Sequence, residues 1–359
     1  MPDVISWDVA SRVATSVAGY FPEPPRSEIQ SLESDLLSVF PQAEAQVAGA
    51  TGLSVPGKAT PLVMTRSEWA QANILSFKST LTPILDQLAE KLPRWRMSNL
   101  SAGMAGVQLG MILGWFSSKV LGQFDVILAD AATESNQDQV YFVAPNIISI
   151  EMKYGFDQKQ FRHWIALHEL THRAQFNGVA WMRDYFKGLV QESISFANPD
   201  PAVFMAALKK VYDKIREGKN PLAENGPIGI FASPEQMVTL NKITGLMSLL
   251  EGHGDVVMNR AGAMDIVESV RFAEVFERRR NSQRGAAKLI SQLLGTEAKM
   301  RQYHEGAEFV YKVEEAGGTP LFEKVWERPE NLPDIAEIRD PDLWIERLGT
   351  KSAGGILDI

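Results

Sequence analysis

The sequence carries His168-Glu169-Leu170-Thr171-His172 in the middle of a segment running from Phe161 to Gly178. On an α-helix, residues four apart lie one turn apart on the same face. Both imidazoles can then reach one Zn²⁺, while Glu169 projects beside a water activated by the metal. That is hydrolytic chemistry, with two neutral nitrogen ligands, a Lewis acid and a carboxylate able to take the water's proton. The pattern carries this meaning only on a helix, and local signals predict one. Asp157 and Gln160 form a capping-box pattern, Phe161, Ile165 and Leu167 are apolar, and Asn177-Gly178 provides a left-handed stop. The plain alternative is two ordinary histidines on a half-buried helix with a surface Glu.

Two imidazoles do not complete a zinc site, and the chain offers a third donor far downstream. Ser233-Pro234-Glu235-Gln236 is a helix start, with Ser as cap, Pro at the first position and Gln three after the cap. The helix it opens, through Met237, Leu240, Ile243, Met247 and Leu250, reaches Glu251-Gly252-His253-Gly254-Asp255. A carboxylate in this apolar stretch needs a partner, which a metal would supply. Glu251 and Asp255 share a face, so Glu251 is read as third ligand and Asp255 as the acceptor that orients a ligand histidine. His253 is the alternative ligand. It lies about 200° around an ideal helix from Glu251, so both face one metal only if Gly252 and Gly254 break the helix.

Composition narrows the chemistry further. The 359 residues include five histidines and no cysteine, so a protein-held metal must use His, Asp or Glu. His163 sits about 140° around the helix from His168 and is read as structural or solvent-facing. Tyr303 and His304, in a late helix, are candidate donors to a developing oxyanion. The 36 basic and 44 acidic side chains give a net charge of −8, against a dominant nucleic-acid or anionic-membrane surface, although a small basic patch stays open. The N-terminus lacks a basic and then apolar leader, and with the absence of cysteine this predicts a cytoplasmic protein. The run Arg278-Arg279-Arg280 reads as a solvated helix face.

Around these motifs the chain reads as mainly α with a small β-sheet, an α+β fold. A helical N-terminal domain is expected over 1–122 and the metal-binding domain over 123–359. The Gly-rich segment from Leu100 to Gly122 is interrupted by Gln108, Ser117, Ser118 and Lys119, and so reads as a buried helix whose glycines admit a close neighbour rather than as a membrane span. The runs Phe124–Ala129 and Val140–Ala144 predict a hairpin or small sheet, with Val140–Ala144 as an edge strand open to an extended substrate. Loops are expected at 217–229 and in the acidic stretch 329–341.

The His168-to-His172 helix together with Glu251 and Asp255 resembles the glutamate-zincin, or thermolysin-like, metallopeptidases, where two His and a downstream Glu hold zinc. Leu250 stands where those enzymes commonly carry Asn. A wider resemblance covers most of the chain. Val120 to Asp125, Val143 to Ile147, Leu250 to Asp255, Lys299 to Tyr303 and Arg339 to Trp344 are similar to a bacterial zincin-like hydrolase family associated with deazaflavin-coenzyme biosynthesis. That resemblance implies a zincin-like metallopeptidase core with a helical N-terminal part. The function expected is a zinc-dependent hydrolase, most simply a metallopeptidase cutting a peptide or related amide bond, with Glu169 as general base. The alternatives are a non-catalytic zincin-like scaffold with a structural metal, and an amidase or deacylase acting on a small coenzyme precursor. The partner expected is a peptide or amide substrate, with neither nucleic acid nor membrane.

Overall fold

A computed structural model of the chain describes residues 4–91, 99–124, 137–195, 234–263, 265–281 and 296–349. In chain order the described elements begin with α1 (Trp7–Ala18), α2 (Arg26–Thr51), β1 (Lys58–Met64), α3 (Arg66–Lys91), α4 (Asn99–Phe116), β2 (Gly122–Phe124) and β3 (Gln137–Val143). They continue with α5 (Ala144–Tyr154), α6 (Gln158–Gly178), α7 (Met182–Ser195), α8 (Pro234–Gly262), α9 (Ser269–Asn281), α10 (Thr296–Glu323), α11 (Ile335–Arg339) and α12 (Pro341–Gly349). The fold is α-rich with one small sheet, as the sequence predicts. The predicted loop at 217–229, the remainder of the run after Phe124, and Ser233 lie outside the described residues.

The chain divides into two compact units. The first comprises Met1–Gly178 and Val257–Phe272, and the second Val179–Val256 and Ala273–Ile359, so the division falls inside α8. In the first unit the sheet order is β1-β3-β2, with β1 parallel and β2 antiparallel to β3. This corrects the expectation of an edge strand at Val140–Ala144, because β3 is central. Val140, Phe142 and Val143 are fully buried, as a strand paired on both sides requires. The missing neighbour was β1. Its Pro61 argues against a central strand, and in β1 it sits on an outer strand, where a missing N–H is tolerated.

α4 is the close-packed helix its glycines predict. A Cβ added to Gly110 would fall 2.5 Å from the Ala10 carbonyl oxygen, and one added to Gly114 2.8 Å from that of Ala14. The backbones of α4 and α1 therefore touch with only hydrogens between them. No helix among the described residues is long and apolar enough to cross a membrane.

The core of the second unit gathers around Trp344, fully buried, whose indole N–H donates to the Asn331 carbonyl at 2.7 Å. Leu249, Val256, Phe309, Val313 and Val325 surround it. Here α8 and α10 meet through Gly252 and Gly306, since a Cβ on either would collide with backbone of the other helix. Gly252 thus brings the helices together, and neither it nor Gly254 breaks α8, which runs unbroken from Pro234 to Gly262.

Candidate metal centre

α6 starts where the capping signal predicts. The Gln160 N–H donates to Asp157 Oδ1 at 2.9 Å, and the helix runs on to Gly178. The stop is not left-handed, because the described glycines with positive φ are Gly52, Gly57, Gly155 and Gly318. Gly178 serves proximity instead, since an added Cβ would lie 3.1 Å from Leu53 Cβ.

Two buried arginines flank the motif. Arg162 makes two hydrogen bonds of 2.8 Å to the Glu151 carboxylate and a third of 2.7 Å to Asp35. Burial pushes the Glu151 carboxyl above its ordinary range, and the Arg162 bonds work against that rise. Arg173, next to His172, donates to Asp138 at 2.8 Å, to Glu44 at 3.0 Å and to the Pro56 carbonyl at 3.2 Å. Asn177 adds a 2.6 Å bond to the same Asp138 oxygen. These bonds tie α6 to α5 and α2 on one side of the motif and to α2 and β3 on the other, fixing the helix against rotation about its own axis.

That orientation brings the two histidines together, with His168 Nε2 and His172 Nε2 3.1 Å apart. At the far side of each ring, His172 Nδ1 meets Gln175 Oε1 at 2.9 Å and His168 Nδ1 meets Met258 Sδ at 3.0 Å. In the tautomer that donates from Nδ1 to these partners, each ring offers its Nε2 lone pair as a metal ligand. Two nitrogens about 2.0–2.1 Å from one tetrahedral Zn²⁺ would stand about 3.3 Å apart, so the pair is spaced as a zinc site needs. Glu251 supplies the third donor. The ligand atoms of His168, His172 and Glu251 all lie within 4.8 Å of one another, which among the described residues makes a His-His-Glu cluster able to hold a metal ion. The donor set, two imidazoles and a carboxylate without thiolate, fits zinc.

The other residues singled out from sequence fall into distinct places. His253 packs its ring 5.3 Å from Phe322 and 5.2 Å from Trp326, centroid to centroid. Asp255 is half-buried one turn beyond Glu251, while the acceptors at the two Nδ1 atoms are Gln175 and Met258. His163 is buried and shares a 2.7 Å hydrogen bond with Gln46. Gln46 also bonds Asp265. Burial lowers the pKa of His163 below its ordinary value, with Asp265 opposing the shift. Tyr303 and His304 fall on α10, but their side chains lie outside the described residues. Arg278 is exposed and paired one turn back with Glu274, while the side chains of Arg279 and Arg280 lie outside the described residues.

Glu169 is 5% exposed and lies against β2. A Cβ added to Gly122 would sit 2.6 Å from Glu169 Oε1 and 2.7 Å from its Cδ, so the carboxylate occupies the space a side chain would fill. Gly122, Gln175 and Met258 are the residues sequence reasoning missed. Gln175 had a usable signal, a polar residue one turn beyond His172 on the same face. Gly122 and Met258 depend on contacts between distant segments and had none.

A helix with two histidines four apart and a carboxylate from a second helix defines a zincin-type centre. The zincin-like metallopeptidase family matches residues 5–345, and the chain belongs to that family. Among solved structures, a candidate hydrolase with a novel fold from Chloroflexus aurantiacus is similar to it at 29% identity, covering 96% of this chain and 99% of that one, with a TM-score of 0.70. No curated protein matches. Family and structural relative together support a zinc-dependent hydrolase in general terms.

Proposed function

We propose that the protein is a mononuclear zinc hydrolase cleaving a peptide or related amide bond, with His168, His172 and Glu251 as metal ligands and Glu169 as general base. The observation that carries this reading is the cluster of His168, His172 and Glu251, whose ligand atoms lie within 4.8 Å of one another with the two Nε2 atoms 3.1 Å apart. Bound there, Zn²⁺ would lower the pKa of a coordinated water toward about 7 and polarise the scissile carbonyl.

The remaining work belongs to the chain. Glu169, between the ligands on α6, takes the water's proton and passes it to the leaving amine. Its carboxylate is held against Gly122, where the absence of a side chain leaves room for it. Among the described residues β2 is an outer strand of the sheet, so main-chain pairing with an extended substrate is assigned to β2 rather than to Val140–Ala144. Asp255 remains the outer carboxylate of the site, one turn beyond Glu251. The expected location is the cytoplasm.

Metal analysis separates ligands from base. Native protein is expected to carry about one zinc per chain, lost in the double variant His168→Ala, His172→Ala and retained in Glu169→Gln. Turnover of a peptide-library substrate is expected to fall by about 10²–10⁴ in Glu169→Gln. Unchanged turnover in that variant would remove Glu169 as base, and zinc retained in the double variant would remove the site. A site closed by His253, leaving no position for water, would favour the structural-metal alternative.

A further inference from the structure

Asn146, the third residue of α5, is buried and uses both hydrogens of its amide. Its Nδ2 donates to the Ser117 carbonyl at 2.7 Å and to the Val120 carbonyl at 2.6 Å, while its Oδ1 accepts from Arg66 Nε at 2.8 Å. A guanidinium has no acceptor, so the amide oxygen must face Arg66 and the two amide hydrogens must face the carbonyls. Arg66 is itself buried, donates to the Pro22 carbonyl at 3.0 Å and has its guanidinium 5.5 Å from the Phe21 ring. One side chain thus ties α3 and the loop before α2 to the segment that joins α4 to β2.

That segment leads directly to the general base. Ser117 is fully buried, so its carbonyl depends on a protein donor, and an unpaired one is costly. The Leu121 carbonyl accepts from the Val143 N–H at 2.8 Å. Gly122 comes next, and the Glu169 carboxylate rests against it. β2 has three residues, too few to fix its own place by ladder bonds alone. Its position is set by the anchors around it, which are Asn146 on the side of α4 and the pairing with β3 beyond.

We propose that Asn146, oriented by Arg66, is a positioning residue of the hydrolase, holding β2 where Gly122 meets the Glu169 carboxylate. It touches neither metal ligand nor base and acts through the backbone of residues 117–122. The inference rests on the reading of Glu169 as general base.

The test uses two variants of the full chain. Asn146→Asp keeps the shape and still accepts from Arg66, and a carboxylate suits the first turn of α5, but it turns lone pairs instead of N–H groups toward the Ser117 and Val120 carbonyls. It is expected to keep about one zinc per chain and to show faster amide hydrogen exchange over residues 117–124. Its kcat per bound zinc, measured on a quenched-fluorescent peptide that wild type cleaves, is expected to fall about 10- to 100-fold. Arg66→Lys keeps a cation on the far side of Asn146 but loses the fixed Nε–H, and a smaller drop in the same direction is expected, again with zinc retained. Loss of folded protein alone would lower zinc and turnover together and leave kcat per zinc as in wild type. That outcome, wild-type kcat per zinc in both variants, or unchanged exchange in Asn146→Asp would overturn the proposal. A wild type that holds zinc and cleaves no peptide would remove the hydrolase reading, and the proposal with it.

Discussion

α4 and α6 are both packed against neighbours in the first unit, and they are held by opposite means. α6 is fastened by charge, with buried Arg162 and Arg173 reaching carboxylates on α5, α2 and β3. α4 is fastened by the absence of side chains, its glycines allowing its backbone onto that of α1. The difference follows from what each helix must do. A helix presenting two imidazoles to one ion must be fixed in rotation as well as position, and directional hydrogen bonds on both sides of the motif achieve that. A helix that carries none of these site residues can be held by close approach, which dispersion and exclusion of water reward without a fixed direction.

Replacing Arg162 by Met tests the charge-held side of this contrast and should have the largest effect. Breaking a buried pair by removing one partner costs about 3–5 kcal/mol, because Glu151 is left buried without its cation. Urea denaturation measures the loss, and a change below about 1 kcal/mol would mean that the clamp does not hold α6.

The glycine-held side is tested by Gly110→Ala. The new methyl meets the Ala10 carbonyl, an atom of the backbone that cannot swing away, and a loss of about 1–3 kcal/mol is expected. Gly103→Ala, on the same helix but with open space where its Cβ would be, should instead stabilise by about 0.5–1 kcal/mol. Equal effects at the two positions would deny that close approach is what holds α4.

The smallest effect concerns pH. His163 is buried on α6 with its pKa lowered by desolvation, so below pH 6.5 the unfolded chain takes up a proton that the folded chain resists. Stability attributable to this group is present above its unfolded value and is lost as pH falls from there through its lowered folded value. His163→Asn should flatten that part of the stability–pH profile, and an unchanged slope would assign the loss to other groups.

The parts of this molecule visible in the sequence are those encoded by near neighbours. The His168–His172 spacing, the Asp157–Gln160 cap and the glycine repeat of α4 each declare themselves within one or two turns. β3 was misplaced at the sheet edge because its parallel partner β1 lies more than seventy residues earlier, and no local pattern announces such a pairing. The close contact of Gly122 with Glu169 has the same origin, since a glycine reads as a turn or a bulge until the side chain it makes room for is seen. From sequence Gly252 reads as a possible breaker of α8, whereas in the structure it meets the Gly306 backbone and α8 continues past Glu251.

The central claim is that His168, His172 and Glu251 hold one zinc ion. A crystal of protein purified without added metal, measured on both sides of the zinc absorption edge, tests it most directly. The account predicts a single anomalous peak bonded to His168 Nε2, His172 Nε2 and a Glu251 carboxylate oxygen, at about 2.0–2.2 Å from each. No peak at that position, or a peak ligated by His253 in place of Glu251, would contradict it.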